Sequence, residues 1–327
     1  LHALFGGVVP EVASREHARY IGPLYDKLFT DSGVHKSDID LVAVARGPGL
    51  LGSLLVGVAF AKALAFGLNA RFIGVNHLHA HLLAAGLEQR LPLPALGLLV
   101  SGGHTHLYRI DAPDRFLILG KTLDDAAGEA FDKAGKMLGL PYPAGRQIDL
   151  LANQGDADPK AFPRPYTDND SLNFSFSGLK TSMAVFLQKY PEYRTRWDAA
   201  SGSCEPLCPE RNKALADVCA SYRLAVAETL SIKTRLALAL PEMRDVQSIM
   251  LAGGVAANSL LRKRICDIAE EKGLPFVAPS NSLCTDNGAM VAYLGWRLAL
   301  LRFEHDLSLE AVPPGRAVPD TMARLCT

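Results

Sequence analysis

Apolar residues along this chain alternate between short continuous runs and stretches of helical period, which is the pattern of an α/β protein. The short runs predict strands over residues 39–45, 72–75, 93–100, 105–110, 116–120, 248–252 and 276–278. The periodic stretches predict helices over residues 11–29, 50–67, 77–87, 124–139, 213–240, 258–272 and 286–301. Residues 153–180 are polar and rich in proline, so they predict a loop.

The most apolar stretch covers residues 50–68 and is interrupted by glycines, alanines and Lys62. These interruptions favour a buried helix over a membrane span.

Two predicted strands end in a pair of glycines, Gly102-Gly103 after the strand 93–100 and Gly253-Gly254 after the strand 248–252. Glycine lets a ligand approach the backbone closely, and the bare N–H groups are donors that suit a phosphate. Either pair alone is more often a plain tight turn. Two such turns together suggest a nucleotide held from two sides.

A cluster of histidines opens a predicted helix for which Asn76 is a plausible N-cap. His77 and His81 are four residues apart and share one helix face, where they could bind one metal ion, whereas His79 points elsewhere. A polar, solvated helix start is the alternative. Leu78 stands where zinc proteases of the His-Glu-x-x-His type carry their general base, so peptide hydrolysis by that mechanism is excluded.

Two histidines leave a metal ion under-coordinated, and a distant carboxylate is the expected third ligand. We predict Asp286, which lies at a strand-to-helix turn. The alternative role for this turn is helix capping, by Thr285 or Asp286.

Three further segments carry possible chemistry. Four carboxylates lie within 124–133, where the helix dipole favours a solvated acidic face, although Asp132 with Asp149 could hold a ribose. The segment 174–181 pairs aromatic residues with a lysine, which suits packing or a contact to a nucleic acid. The basic run at 262–264 is typical of a solvated helix face.

The composition limits the function classes. The 327 residues are 49% apolar, and 34 basic residues balance 34 acidic ones, so the chain has no global attraction for nucleic acid. Six cysteines occur without a Cys-x-x-Cys pair, which is typical of a reducing compartment. Cys204 and Cys208 are the nearest pair, and free loop thiols are favoured over a metal or redox role. No secretory signal is visible, so we expect a cytoplasmic protein.

Eight segments together resemble one family, TsaD (also called Gcp or Kae/Qri), and its bacterial branch in particular. They follow one another in the family's order: 6–11, 46–54, 77–81, 101–105, 124–133, 174–181, 253–258 and 285–287. The resemblance covers about residues 1–300 and is specific because all eight occur together.

The resemblance implies the two-lobed actin-like ATPase, sugar kinase and Hsp70 (ASKHA) fold. An N-terminal lobe would comprise residues 1–95 and part of 287–327, and a C-terminal lobe, residues 96–286, would carry both glycine turns. Family members also begin with a strand and phosphate loop that precede the first residue here. If the polypeptide starts at Leu1, we expect a damaged sheet and weak nucleotide binding. The loop at Cys204–Cys208 and the tail after Phe303 match the family poorly.

The activity implied is transfer of a threonylcarbamoyl group from threonylcarbamoyl-AMP to N6 of adenosine 37 in tRNAs reading ANN codons. His77, His81 and Asp286 match the family's metal ligands, for Fe²⁺ with Zn²⁺ or Mg²⁺ as alternatives; no catalytic side chain is assigned. The positions that match the family's adenylate-binding residues are Leu99, Val100, Ser101, Gly102, Gly103, Asp132, Gly145, Asp149 and Asn258.

The implied partners are tRNA, TsaB and TsaE, with a TsaC-type synthase supplying the adenylate and no role for a membrane. A non-catalytic partner subunit of the same fold is the alternative, but it would normally lack the histidine pair. A kinase of this fold would need a sugar cleft and an aspartate base, neither of which can be assigned.

Overall fold

The computed structural model describes residues 7–195, 197–198, 203–204 and 209–313. The predicted loop thiols lie outside this part of the chain, apart from the backbone of Cys204. The helices are α1 Pro10–Ser32, α2 Leu51–Leu68, α3 His77–Leu83, α4 Ala127–Leu138, α5 Gly145–Ala152, α6 Ser177–Lys189, α7 Pro209–Leu238, α8 Ser259–Glu271, α9 Asn281–Cys284 and α10 Gly288–Leu300. The strands are β1 Leu41–Gly47, β2 Arg71–Asn76, β3 Ala95–Val100, β4 Thr105–Ala112, β5 Arg115–Lys121, β6 Trp197–Asp198, β7 Ser203–Cys204, β8 Ser248–Ala252 and β9 Phe276–Val277.

The described chain forms two compact units. Among the described residues, the larger unit contains Leu91–Asp111 and Phe116–Thr285, and the smaller contains Val8–Arg90, Ala112–Arg115 and residues 286–313. The lobe boundaries drawn from the sequence stay a prediction.

The larger unit is built on a five-stranded sheet in the order β5-β4-β3-β8-β9. β3 pairs with β4 in antiparallel fashion and with β8 in parallel, with Leu96 opposite Ile249. Every residue of β3 and β8 is buried, as expected for inner strands that read as continuous apolar runs. Since parallel neighbours end at the same edge of a sheet, both glycine turns leave from that edge.

The core of this unit joins the sheet to α4, α5, α7 and α8. Leu98 from the sheet, Phe131 from α4, Tyr222 from α7 and Ile265 from α8 belong to one buried cluster. The hydroxyl of Tyr222 donates to the Ala130 carbonyl at 3.0 Å, so the polar end of this ring is satisfied.

The smaller unit holds a parallel pair of strands, β1 and β2, with Val42 opposite Phe72. α10 packs closely on β1, because a Cβ added at Gly295 would lie 2.4 Å from Cβ of Ala43. β2 leads directly into α3, which places His77 at the end of a strand in this unit.

The prediction of a buried helix over residues 50–68 is right about the helix and wrong about its burial. α2 buries only Val58, Ala61 and Ala65, whereas Leu55 and Phe66 are 52% and 78% exposed. The reason is that apolar residues surround this helix on all sides, and its neighbours in the unit cover a narrow stripe. By length and mean hydropathy, 1.9 over an 18-residue window, α2 would pass as a membrane span, a test that core helices also pass.

Candidate metal centre and nucleotide site

The two histidines of the predicted metal site lie on α3 in the smaller unit. Asn76 caps this helix as predicted, because its side chain accepts hydrogen bonds from the backbone of Leu78 at 2.9 Å and His79 at 3.4 Å. His77 and His81 therefore lie one turn apart, and their ring centroids are 4.7 Å from each other. His81 is 2% exposed, so its ring is fixed by packing.

Asp286 comes to the same place from 205 residues further along the chain. Its Oδ1 lies 3.0 Å from Nε2 of His81 and 3.5 Å from Nε2 of His77. Hydrogen bonding to His77 and His81 holds the pKa of the Asp286 carboxyl well below its usual range. The structure thus brings the three predicted ligands together within one unit.

The capping alternative for Asp286 is wrong. α10 begins at Gly288, and its N-cap is Asn287, whose side chain accepts a hydrogen bond from the backbone of Met290 at 2.9 Å. Because Asn287 satisfies the helix end, the Asp286 carboxylate is left to face the two imidazoles.

The donor set fits a divalent transition metal. Two imidazole nitrogens and one carboxylate oxygen, all within 4.8 Å of one another, form a two-histidine, one-carboxylate triad. Ligand atoms about 2.1 Å from one ion lie roughly 3.0–3.5 Å apart at right-angled or tetrahedral geometry, and the separations of Asp286 Oδ1 from the two imidazole nitrogens, 3.0 and 3.5 Å, fall in this range. The Asp286 side chain is 81% exposed, so positions remain open for other ligands.

The first glycine turn follows β3 in the larger unit. The backbone N–H of Ser101 donates to the His104 carbonyl at 2.8 Å, which closes the turn. A Cβ at Gly102 or Gly103 would meet nothing within 4 Å, so the backbone there is open to a ligand. Leu99 and Val100, by contrast, are buried strand residues and contribute position rather than side-chain contacts.

The second glycine turn lies against the first. Gly253 has φ +90°, and a Cβ there would lie 2.4 Å from the Val100 carbonyl oxygen. Gly254 meets nothing within 4 Å. The two turns therefore form one backbone-lined surface with an open glycine on each side, and the second turn leads directly to Asn258.

Asp132 and Gly145 form a second pair of predicted positions. The Asp132 carboxylate accepts the backbone N–H of Ala144 at 2.8 Å, together with that of Gly145. Burial raises the pKa of the Asp132 carboxyl, although these hydrogen bonds oppose the rise. Gly145 and Asp149 are four residues apart on α5, so they share one face of that helix.

Asp149 and Asn258 meet at the start of α8. The Asp149 carboxylate accepts the backbone N–H of Ser259 at 3.2 Å and the Ser259 hydroxyl at 3.1 Å. Asn258 caps α8 through the backbone of Leu261 at 3.0 Å. Sequence reasoning missed Arg223, which donates to Asp149 at 2.7 Å. A lone arginine within an apolar helical stretch is a weak signal, since nothing in the sequence names its partner.

The acidic segment is not a solvated helix face. α4 begins at Ala127, and Asp124 before it accepts hydrogen bonds from the backbone of Phe176 at 2.8 Å and the hydroxyl of Ser175 at 2.5 Å. Asp125 forms an ion pair with Lys133 at 2.5 Å. The two hydrogen bonds to Asp124 therefore hold the end of the polar loop before α6.

Of the two roles weighed for 174–181, the aromatic residues serve packing. Phe174 and Phe176 are fully buried and stacked with centroids 6.2 Å apart. The basic run is also only partly solvated, because Arg262 donates to the carbonyls of Ala256 at 3.2 Å and Pro279 at 2.6 Å.

His106 on β4 is expected to make the stability of the protein depend on pH. Burial, together with the charges of His104 and Lys121, lowers its pKa to about 4, and its Nδ1 lies 2.9 Å from the Tyr108 hydroxyl. A histidine that titrates near 6.5 when unfolded then binds more protons in the unfolded state between pH 6.5 and 4. Its contribution to stability is lost as the pH falls through that window, by about 2 kcal/mol at pH 5.

Urea unfolding at pH 7 and pH 5 checks this. We expect His106→Gln to lose about 2 kcal/mol less than the wild type between these two pH values. Equal losses in the two proteins would contradict the assignment of the acid sensitivity to this ring.

The comparisons with known proteins agree in sequence and in fold. Residues 1–293 match the model of the TsaD family, described as tRNA N6-adenosine threonylcarbamoyltransferase. A Desulfovibrio desulfuricans protein of that name is 60% identical over 99% of this chain and 88% of its own length. One from Nitratidesulfovibrio vulgaris is 58% identical over 98% of this chain and 88% of its own.

Among solved structures, full-length HypF in its phosphate- and nucleotide-bound form superposes with a TM-score of 0.54 at 14% identity. The match covers 80% of this chain and 39% of that one. This likeness concerns the fold alone, and it confirms the predicted α/β fold of the ASKHA class.

Proposed function

The chain belongs to the TsaD family of tRNA N6-adenosine threonylcarbamoyltransferases, and we propose that it catalyses that reaction on tRNA. In detail, it would transfer the threonylcarbamoyl group from threonylcarbamoyl-AMP to N6 of adenosine 37 in tRNAs that read ANN codons, with AMP as leaving group. The observation that carries the proposal is the convergence of His77, His81 and Asp286 in a chain of this family.

We propose that these three side chains hold one divalent ion, Fe²⁺, with Zn²⁺ or Mg²⁺ as alternatives. The chemistry such an ion supplies is Lewis-acid polarisation of a carbonyl oxygen. The chain's own contribution is a preorganised donor set: His81 is fixed by burial, and Asp286 is relieved of capping by Asn287.

The glycine turns suit the adenylate. We propose that backbone N–H groups at Gly102, Gly103 and Gly254 would hold the phosphate and stabilise the charge that develops on it as AMP leaves, since the N–H of Ser101 is used to close its own turn. Asp132 and Asp149 would accept hydrogen bonds from the ribose hydroxyl groups. Asn258 is the remaining position proposed to bind the adenylate. Both carboxylates are held by backbone N–H groups, so little reorganisation is needed on binding.

The acceptor is an exocyclic amine of low nucleophilicity, so positioning must supply much of the rate acceleration. A chain with zero net charge would share tRNA binding with partners, for which we propose TsaB and TsaE, with a TsaC-type synthase upstream. We propose a cytoplasmic location, since tRNA is the substrate.

The proposal is tested in a strain depleted of its own enzyme, by digesting tRNA and measuring threonylcarbamoyladenosine by mass spectrometry. We expect the protein to restore the modified nucleoside and Asp286→Ala to fail. Asp267→Ala, which removes a carboxylate of a surface ion pair with Lys263, is the matched control and should restore it fully. Restoration by Asp286→Ala at the wild-type level would overturn the proposed metal role of this carboxylate, whereas failure of the wild-type protein to restore the nucleoside would favour the non-catalytic partner role.

A further inference from the structure

We infer that Arg223 is a positioning residue that holds the Asp149 carboxylate in one orientation, with a single acceptor position open for a ribose hydroxyl. The inference rests on the proposed function, because it takes an adenylate as the ligand of Asp149.

Arg223 joins three helices of the larger unit. It lies on α7 and is 8% exposed. Its Nη1 donates to Asp149 Oδ1 at 2.7 Å and to Asn153 Oδ1 at 2.6 Å, which are short, well-formed hydrogen bonds. Nη1 also lies 3.3 Å from the Asp149 carbonyl and 3.2 Å from the Ser259 hydroxyl, and Nη2 donates to the Ala152 carbonyl at 3.2 Å. The guanidinium thus ties α7 to the end of α5 and the start of α8.

The two oxygens of the Asp149 carboxylate differ in what they can still accept. Oδ1 receives Arg223 Nη1 and the Ser259 hydroxyl, at 2.7 Å and 3.1 Å. Oδ2 receives the Ser259 backbone N–H at 3.2 Å. Each carboxylate oxygen has two lone-pair positions, so Oδ1 is full and Oδ2 keeps one. The Asp149 carboxylate can therefore accept one further hydrogen bond from a hydroxyl group, at the free lone-pair position of Oδ2.

A second observation separates this role from simple packing. Nε of Arg223 is buried and has no hydrogen-bond partner among the described residues. Leaving a buried donor unpaired costs free energy, so the position of the guanidinium is not the one that would pair all of its own N–H groups. Its orientation is the one that serves the Asp149 and Asn153 oxygens.

Without the guanidinium, the carboxylate loses its only cationic partner among the described residues. A carboxylate that is mostly shielded from water and lacks such a partner turns toward solvent, which moves the open position on Oδ2. The expected consequence is that AMP loses the affinity it owes to its ribose hydroxyl, whereas an analogue that lacks this hydroxyl binds as before.

The test compares the binding of AMP, 2′-deoxy-AMP and 3′-deoxy-AMP by calorimetry. We expect the wild type to bind one deoxy analogue about tenfold or more weakly than AMP, since a hydrogen bond to a charged acceptor is lost. In Arg223→Met, AMP should bind as weakly as that analogue does. The affinity for the analogue itself should stay within about twofold of wild type, the usual error of such comparisons.

Two controls keep the outcome decisive. Arg235→Met removes another α7 arginine that pairs with α8, through Glu271 at 2.8 Å, and should change none of the three affinities. Arg223→Met should add nothing to the effect of Asp149→Asn, because both act on the same contact. If Arg223→Met fails to fold, Arg223→Lys keeps the charge with fewer donors and should lower the selectivity in part.

The outcomes separate this inference from the proposed function. Equal weakening of all three ligands, or unchanged selectivity in a folded Arg223→Met, would overturn the inference alone. A wild type that does not bind AMP would overturn the proposed function and this inference with it.

Discussion

Replacing His81 with alanine is expected to abolish the metal binding proposed for the triad and to lower the proposed threonylcarbamoyl transfer by about a thousandfold, the several kcal/mol that a Lewis acid contributes. Two ligands would remain, His77 and an exposed Asp286, and neither is fixed as firmly as the buried imidazole. The measurement is metal content per chain by mass spectrometry, together with the rate of transfer to tRNA.

His79→Ala is the matched control, because His79 lies on the same short helix but on another face. It should keep one ion per chain and full activity. Since His81 is buried, a urea melt must accompany the assay, and His81→Leu, which fills more of the space and has no donor atom, gives a second variant. A folded His81→Leu that retains both the ion and the activity would rule out ligation by this side chain.

Much of the larger unit follows from the sequence for a physical reason. β3 and β8 are inner parallel strands buried on both faces, so they read as unbroken apolar runs that no helix period fits. Because the strands are recognisable, the glycine pairs that follow them are predictable as turns. The contact between the two turns cannot be predicted in this way, because it depends on β3 and β8 being neighbours in the sheet.

Local sequence patterns predict only part of the candidate metal site. The spacing of His77 and His81 places both on one helix face, whereas Asp286 could serve equally as a cap until the structure assigns that role to Asn287. The role of Arg223 is harder still to predict from the sequence, since its hydrogen-bond partners come from two other helices. Likewise, the apolar composition of α2 predicts a helix but not how much of it neighbours cover.

Replacing Gly253 with alanine is expected to lower the free energy of unfolding by about 2–4 kcal/mol and to abolish detectable adenylate binding. Its backbone has φ +90° and ψ 168°, a conformation that is essentially restricted to glycine. A methyl group there would also lie 2.4 Å from the Val100 carbonyl oxygen and 2.8 Å from the carbonyl carbon. Backbone atoms of a buried strand cannot give way as a flexible side chain can, so the two turns must separate.

Gly254→Ala separates the stability effect from the binding effect. A methyl group there meets nothing within 4 Å and its φ is not positive, so stability should change by less than about 0.5 kcal/mol. Binding should still weaken, because the added carbon lies on the open face of the turn, where a phosphate would approach the backbone. Urea unfolding and AMP titration of both variants check this. If Gly254→Ala bound AMP as tightly as the wild type, the phosphate would have to be held elsewhere, and the second turn would serve only to brace the first.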